Sequence, residues 1–220
     1  MNRLGLIRFT PHYRTVRWGG QRIAQFKNIH LEDTHVGESW EISSLEGMET
    51  VIAEGPLSGM TLTDLLRNYG EEILGEELHA RFNEKFPLLI KFIDAEDDLS
   101  IQVHPDDRLS NGCGKTELWY IIDAQPGAHI YSGLNRTLTH REMTRILAER
   151  TITNVLAKHY SQPGDVFYLP AGRVHSIGAG NFVLEIQQPS DITYRLWDYD
   201  RRDADGNLRP LHIDRALQAV

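Results

Sequence analysis

The sequence predicts a mostly β protein, an antiparallel barrel or jelly roll with short helical insertions. Short apolar or alternating runs recur along the 220 residues between turn residues, and helical spacing interrupts them in two places. The sequence contains no internal repeat and no low-complexity tract. Many short strands separated by turns are typical of closed or double-sheet antiparallel folds.

Two segments have helical spacing. Residues 61 to about 85 place leucines three and four apart, with Thr61 or Thr63 as a possible N-cap. Gly70 is expected to divide this insert into two short helices. A capping-box pattern, Thr-x-x-Glu, predicts a second helix over residues 139 to about 150.

Strands are predicted over most of the remaining chain. ESWEIS at 38–43 is typical of an edge strand that carries an aromatic side chain. FPLLIKFIDA at 86–95 is interrupted only by Lys91, which is typical of a strand buried on both faces. The stretch 209–220 predicts a short closing helix. Further strands are predicted at 100–104, 117–124, 128–134, 152–160, 165–170, 176–180 and 182–188.

Composition and charge exclude several classes of partner. The net charge is −8 and the sequence pI about 5.7, which argues against general binding to nucleic acid or to an acidic membrane surface. Cys113 is the single cysteine, so an internal disulfide is impossible. Without a signal-peptide pattern or a long apolar run, a cytoplasmic location is expected. The sequence does not indicate the oligomeric state.

Four side chains are candidate metal ligands. Gln102 and His104 lie two apart in the strand pattern SIQVH, so they point to one face. Glu117 begins another strand. His175 ends GDVFYLPAGRVH, in which a turn and a strand precede the Pro-x-Gly bend before His175. This last pattern resembles the second motif of the cupin superfamily, where a metal-binding histidine follows such a bend.

Several strings together resemble the type I phosphomannose isomerases, and most of all their short bacterial form. They are WGG, ESWEIS, FPLLIKFIDA, LSIQVHPDD, GKTELWY, LPAGRVHSIG and SDITYR, which lie between residues 18 and 195. The resemblance implies a single cupin-type catalytic domain over 1–220, with the helical insert at 61–85. It also implies that the second cupin-like domain of relatives is absent. By resemblance, Gln102, His104, Glu117 and His175 bind one zinc ion inside the cupin barrel.

The activity that the resemblance implies is the reversible interconversion of mannose 6-phosphate and fructose 6-phosphate through a cis-enediol. Lys91, Lys115 and Glu185 are candidates for the base that moves the proton, and the sequence does not choose among them. A lysine can serve if its pKa is lowered toward the working pH by zinc or by neighbouring cations. Gly114 stands where longer family members have a histidine before the lysine.

Three more residues are assigned by resemblance. Asp191 and Arg195 are expected to line the mouth of the active site, with Arg195 stabilising developing negative charge or the phosphate. Ser100 lies two before Gln102, so it points the same way and is a candidate phosphate contact. Lys115 is likewise expected to contact the substrate.

Two alternatives remain open from the sequence. An iron oxygenase of the cupin class typically uses two histidines and one carboxylate. The glutamine, together with Lys115 and Arg195, argues against that alternative. A non-catalytic module that binds sugar phosphates would preserve the same residues without turnover.

Overall fold

The structure is a computed structural model that describes residues 4–203 and 205–220. Its helices are α1 (Arg22–Lys27), α2 (Leu62–Phe82), α3 (His140–Ala148) and α4 (Ile213–Ala219). Its strands are β1 (Phe9–Thr10), β2 (His12–Gly20), β3 (Val36–Ile42), β4 (Val51–Ile52), β5 (Leu89–Ala95), β6 (Ile101–Val103), β7 (Glu117–Ala124), β8 (His129–Leu134), β9 (Leu156–Tyr160), β10 (Val166–Leu169), β11 (His175–Ile177), β12 (Asn181–Gln187) and β13 (Tyr194–Trp197).

Two antiparallel sheets form the body of the molecule. One has six strands in the order β10-β7-β12-β5-β3-β2, and the other has five in the order β13-β6-β11-β8-β9. Strands β1 and β4 form a separate pair. The mostly β fold with short helical insertions is confirmed. Within the described residues, however, no hydrogen-bonded strand pair joins the two large sheets, so they do not close into a single barrel.

The main core lies between the two sheets. It contains Trp119 and Ile93 from the six-stranded sheet together with Ile130 and Ile177 from the five-stranded sheet. A second cluster covers the outer face of the five-stranded sheet and includes Ile101 and residues of α3 and α4. Side chains of strand β6 alternate between its two faces. Ile101 and Val103 point toward the helices, and Gln102 points toward the interior.

Helices α2 and α3 follow the predicted caps. Thr61 Oγ1 accepts a hydrogen bond of 3.0 Å from the backbone nitrogen of Asp64, which identifies Thr61 as the N-cap of α2. This helix has two breaks, at Tyr69, next to the predicted Gly70, and at Gly75. The predicted capping box of α3 is present. No helix of the described residues is long and apolar enough to cross a membrane.

Three strand predictions need correction. The stretch 38–43 is not at an edge, because β3 pairs with β2 on one side and β5 on the other. The predicted strand at 152–160 begins with a 3-10 helix at Ile152–Val155, and only its second half is extended. At 176–180 the strand ends at Ile177, because residues 178–180 form the turn into β12.

Candidate metal centre and cavity

Two rows of directly opposed residues build the site, one row in each sheet. Side chains at opposed positions of neighbouring antiparallel strands lie about 5 Å apart and on the same face. In the six-stranded sheet the row is Trp40, Lys91, Glu185 and Trp119. In the five-stranded sheet the row is Arg195, Gln102 and His175. Pairing of strands that are far apart in sequence therefore brings together half of the ten predicted site residues: Lys91, Gln102, His175, Glu185 and Arg195.

His104, Glu117 and His175 form a buried cluster of potential ligands. Each is about 1% exposed. His104 Nε2 lies 3.1 Å from His175 Nε2 and 3.3 Å from Glu117 Oε1, and His175 Nε2 lies 3.7 Å from Glu117 Oε2. The three side chains can each offer an atom to one metal ion, since these atoms all lie within 4.8 Å of one another.

Hydrogen bonds to backbone carbonyls orient both imidazole rings. His104 Nδ1 donates to the carbonyl of Ile192 and His175 Nδ1 to that of Arg173, each at 2.8 Å. A neutral ring that donates through Nδ1 presents an unprotonated Nε2, so the two Nε2 lone pairs face each other. Glu117 Oε2 is buried without a hydrogen-bond partner among the described residues. Apposed lone pairs and an unpartnered carboxylate oxygen fit a cation, and the nitrogen and oxygen donors suit zinc.

The protonation states expected from this environment also favour a cation. Burial, with the nearby Lys115 ammonium, lowers the pKa of His104 to about 4. Burial lowers the pKa of His175 as well. For Glu117, burial alone would raise the pKa, but Lys115 and His104 outweigh it and hold that pKa well below its usual range. Near neutral pH the cluster therefore offers neutral imidazoles and a carboxylate.

Gln102 and Ser100 extend the cluster along β6. Gln102 lies directly opposite His175 in the strand register, and its Oε1 accepts a hydrogen bond of 3.2 Å from Ser100 Oγ. Both residues line the cavity beside the cluster. Gln102 thus stands next to the two histidines, as the predicted ligand set requires.

Lys115 lies between the cluster and the cavity. Its Nζ is 2.6 Å from Glu117 Oε1 and 3.4 Å from His104 Nε2. Gly114, immediately before it, packs against the preceding loop, where a Cβ would meet the backbone nitrogen of Asp107 at 2.6 Å. The loop therefore has no room for a side chain where longer relatives carry a histidine.

Lys91 points into the interior from a central strand and is 6% exposed. Its Nζ lies 2.9 Å from Glu185 Oε1 and 3.9 Å from Glu38 Oε2. Burial alone would lower the pKa of Lys91, but these two carboxylates outweigh it and raise that pKa above its usual range. This shift is opposite to the one expected for a lysine base. The other oxygen of Glu185 accepts a hydrogen bond of 2.7 Å from Trp119 Nε1.

A cavity of about 300 Å³ opens above these groups. Arg195 lies on its wall, where its Nε donates to Ser100 Oγ at 3.3 Å. Asp191 is exposed and also lines the cavity. All ten predicted site residues therefore surround one cavity or the buried cluster beside it.

Three charged lining residues, Arg14, Glu38 and Arg209, were not among the sequence candidates. Glu38 had a usable signal, because ESWEIS alternates and places Glu38 on the same face as Trp40, whose Nε1 donates to Glu38 Oε2 at 2.6 Å. Arg14 and Arg209 had none, since surface arginines are common and nothing local marks them.

The facing sheets and the buried histidine–carboxylate cluster define a cupin-type protein with a candidate metal centre. A family model described as phosphomannose isomerase type I, catalytic domain, matches residues 6–126. Mannose-6-phosphate isomerase ManA of Bacillus subtilis is 39% identical over 96% of this chain and 67% of its own length. The chain belongs to the type I phosphomannose isomerase family.

Solved structures agree with this assignment. The crystal structure of mannose 6-phosphate isomerase from Bacillus subtilis matches with a TM-score of 0.89 and 36% identity, over 97% of this chain and 68% of that one. A zinc-bound mannose 6-phosphate isomerase shares the fold, with a TM-score of 0.74, 14% identity and coverage of 97% and 74%. The chain spans about two thirds of the length of the relatives that it matches.

Proposed function

We propose that this chain interconverts mannose 6-phosphate and fructose 6-phosphate as a metal-dependent aldose–ketose isomerase, with residues 1–220 acting as one catalytic unit. The observation that carries the proposal is the buried cluster of His104, Glu117 and His175 beside a cavity rich in cationic groups. The activity named for its relatives supports the same reaction.

One zinc ion is the proposed cofactor, held by Gln102, His104, Glu117 and His175. When bound, zinc supplies a Lewis acid that polarises substrate oxygens. The chain prepares this site through the two carbonyl groups that fix the imidazole rings. Buried donors with fixed orientation need little reorganisation on binding.

The opened sugar isomerises through a cis-enediol, in which a side chain takes a proton from one of C1 and C2 and returns it to the other. The raised pKa of Lys91 keeps it an ammonium group, so Lys91 supplies positive charge rather than a base. Lys115 and Glu185 remain the candidates for proton transfer, because both line the cavity next to the cluster.

Arg195, Ser100 and Asp191 bind the substrate in this proposal. Arg195 and Ser100 are joined by a hydrogen bond at the cavity wall, where the guanidinium of Arg195 donates to an anionic group and the Ser100 hydroxyl can join it by turning away from Gln102. Asp191, exposed at the edge of the cavity, offers an acceptor to sugar hydroxyl groups. Location in the cytoplasm stays a prediction.

A coupled assay of the purified chain tests the proposal. We expect conversion of mannose 6-phosphate that is lost after chelation and restored by zinc. Activity that persists in chelator with no bound metal would contradict it. If calorimetry shows hexose-phosphate binding but no conversion, the non-catalytic alternative is favoured instead. Bound iron with oxygen uptake favours the oxygenase.

A further inference from the structure

The segment after residue 208 is fixed to the cavity wall beside Arg195. The backbone nitrogen of His212 donates to the carbonyl of Arg195 at 2.8 Å, and the backbone nitrogen of Arg195 donates to His212 Nδ1 at 3.1 Å. Arg195 Nη1 also donates to the carbonyl of Pro210 at 3.0 Å. These bonds hold Arg209, the residue before Pro210, at the lining of the same cavity.

The cationic groups of the two cavity walls differ in how they are neutralised. On the six-stranded sheet, Lys91 contacts Glu185, and Arg14 lies 3.6 Å from Glu38, so each cation has its own carboxylate. The wall around Arg195 has fewer acidic groups. Within residues 4–203 and 205–220, no carboxylate lies within 4.0 Å of Arg195.

Arg209 is only partly neutralised. Its single ion pair among the described residues is with Asp198, at 3.4 Å, and Arg201 holds the same carboxylate oxygen at 2.6 Å. Arg201 also pairs with Asp97 at 3.2 Å, so two carboxylates serve Arg201 and Arg209, while Arg195 has no ion pair among the described residues. Ion pairing on this wall therefore leaves the guanidinium of Arg195 without a carboxylate partner, and a bound anion would neutralise it.

We infer that Arg209 is a specificity-determining residue that binds the phosphate of the substrate together with Arg195 and Ser100. The inference rests on the proposed function, since it identifies where a phosphosugar would place its anionic end. Burial, and next the charge of Arg209, lower the pKa of Arg195, while the carboxylate of Asp198 opposes them, in keeping with two guanidinium groups that lie close together.

The position of this wall suits a phosphorylated substrate. Arg195, Gln102 and His175 are opposed across three neighbouring strands, so Arg195 lies two strand spacings, roughly 10 Å, from His175 along the sheet. A ligand whose reacting carbons lie at the histidine cluster can therefore extend its far end toward the two arginines.

Three variants of the full chain test the inference. Arg209→Gln removes the charge, Arg209→Lys retains it without the planar fork, and Arg215→Gln removes an exposed arginine of α4 that does not line the cavity. We expect Arg209→Gln to raise KM for mannose 6-phosphate by about 10- to 50-fold with kcat changed less than about threefold, because a charge-assisted contact to the non-reacting end is lost. Arg209→Lys should recover part of this affinity.

Binding of inorganic phosphate, measured by calorimetry, provides a readout that does not need turnover. We expect phosphate affinity to fall in parallel with KM in Arg209→Gln and to be unchanged in Arg215→Gln. If the isomerase proposal fails, this titration still decides whether the subsite exists. An unchanged KM and phosphate affinity in Arg209→Gln overturns the inference, as does an equal loss in Arg215→Gln or a loss confined to kcat.

Discussion

At the scale of single residues, Lys91 shows how a charge can occupy the interior. It interrupts an apolar strand, and the strand register places Glu185 directly opposite it. The carboxylate of Glu38 completes the arrangement, with Trp40 Nε1 donating to it. A buried lysine is costly unless it is paired, and here two acidic side chains surround it.

Replacing Lys91 by Met should destabilise the fold by about 3 to 5 kcal/mol, because buried carboxylates lose their cation. Urea unfolding at pH 7 measures the change. The double variant Lys91→Met, Glu185→Gln, which also removes one of those carboxylates, should be less destabilised than the single variant. A single variant as stable as the parent would show that the ion pair is unimportant to the fold.

The single variant Lys91→Met should also change how Glu38 contributes to the pH dependence of the free energy of unfolding. In the parent, burial would raise the pKa of Glu38, but Lys91 and the Trp40 hydrogen bond outweigh it and lower that pKa. Glu38 therefore stabilises the parent above the unfolded pKa of about 4.3, and this contribution is lost as pH falls. Lys91→Met removes the largest of the effects that lower this pKa, so the folded pKa of Glu38 rises, and the deficit in stability relative to the parent should shrink on acidification.

At the scale of elements, local signals were reliable where they satisfied backbone groups directly. The capping box of α3 is one case: Thr139 Oγ1 accepts from the nitrogen of Glu142, and Glu142 Oε2 accepts from the nitrogen of Thr139 at 2.8 Å. The break of α2 at Gly75 was not predicted. Gly75 has φ of 77°, which glycine adopts without steric cost, but isolated glycines also occur within helices.

Thr139→Ala should destabilise the protein by about 1 kcal/mol, since α3 loses its N-cap. Thr144→Ala on the exposed side of the same helix is the control and should change stability by less than about 0.5 kcal/mol. The hydrogen bonds from Thr139, with help from Arg136, lower the pKa of Glu142 to about 2. The capping-box carboxylate thus stabilises the fold above about pH 4.3, and its contribution is lost as pH falls toward 2. Equal effects of Thr139→Ala and Thr144→Ala in thermal melts would contradict the assignment of Thr139 as the N-cap.

At the scale of the whole molecule, the two sheets bring donors from distant parts of the chain to one point. His104 follows β6, Glu117 begins β7 and His175 begins β11. The distances among them are those of a cluster poised for a cation. A metal that binds only the folded protein must stabilise it by mass action.

Zinc at about 100 times its dissociation constant should therefore increase the free energy of unfolding by roughly 2.7 kcal/mol. This increase corresponds to a rise in melting temperature of about 5 to 10 °C. His175→Ala should abolish this shift and the stoichiometric zinc measured by metal analysis, while the fold persists. His140→Ala is the matched control, because His140 is an exposed histidine at the start of α3. Retention of one zinc ion per chain by His175→Ala would remove His175 from the ligand set.

The sequence by itself determined the alternation that turns Ser100, Gln102 and His104 inward, the capping box of α3 and the family to which the chain belongs. These properties depend on neighbours in the chain or on short motifs, so they can be seen without a fold. Only the tertiary structure decided that Lys91 is a paired cation, that Glu38 and Arg209 line the cavity, and that the sheets remain separate. Strand register and the charges across a cavity depend on residues far apart in sequence, and no local pattern encodes those distances.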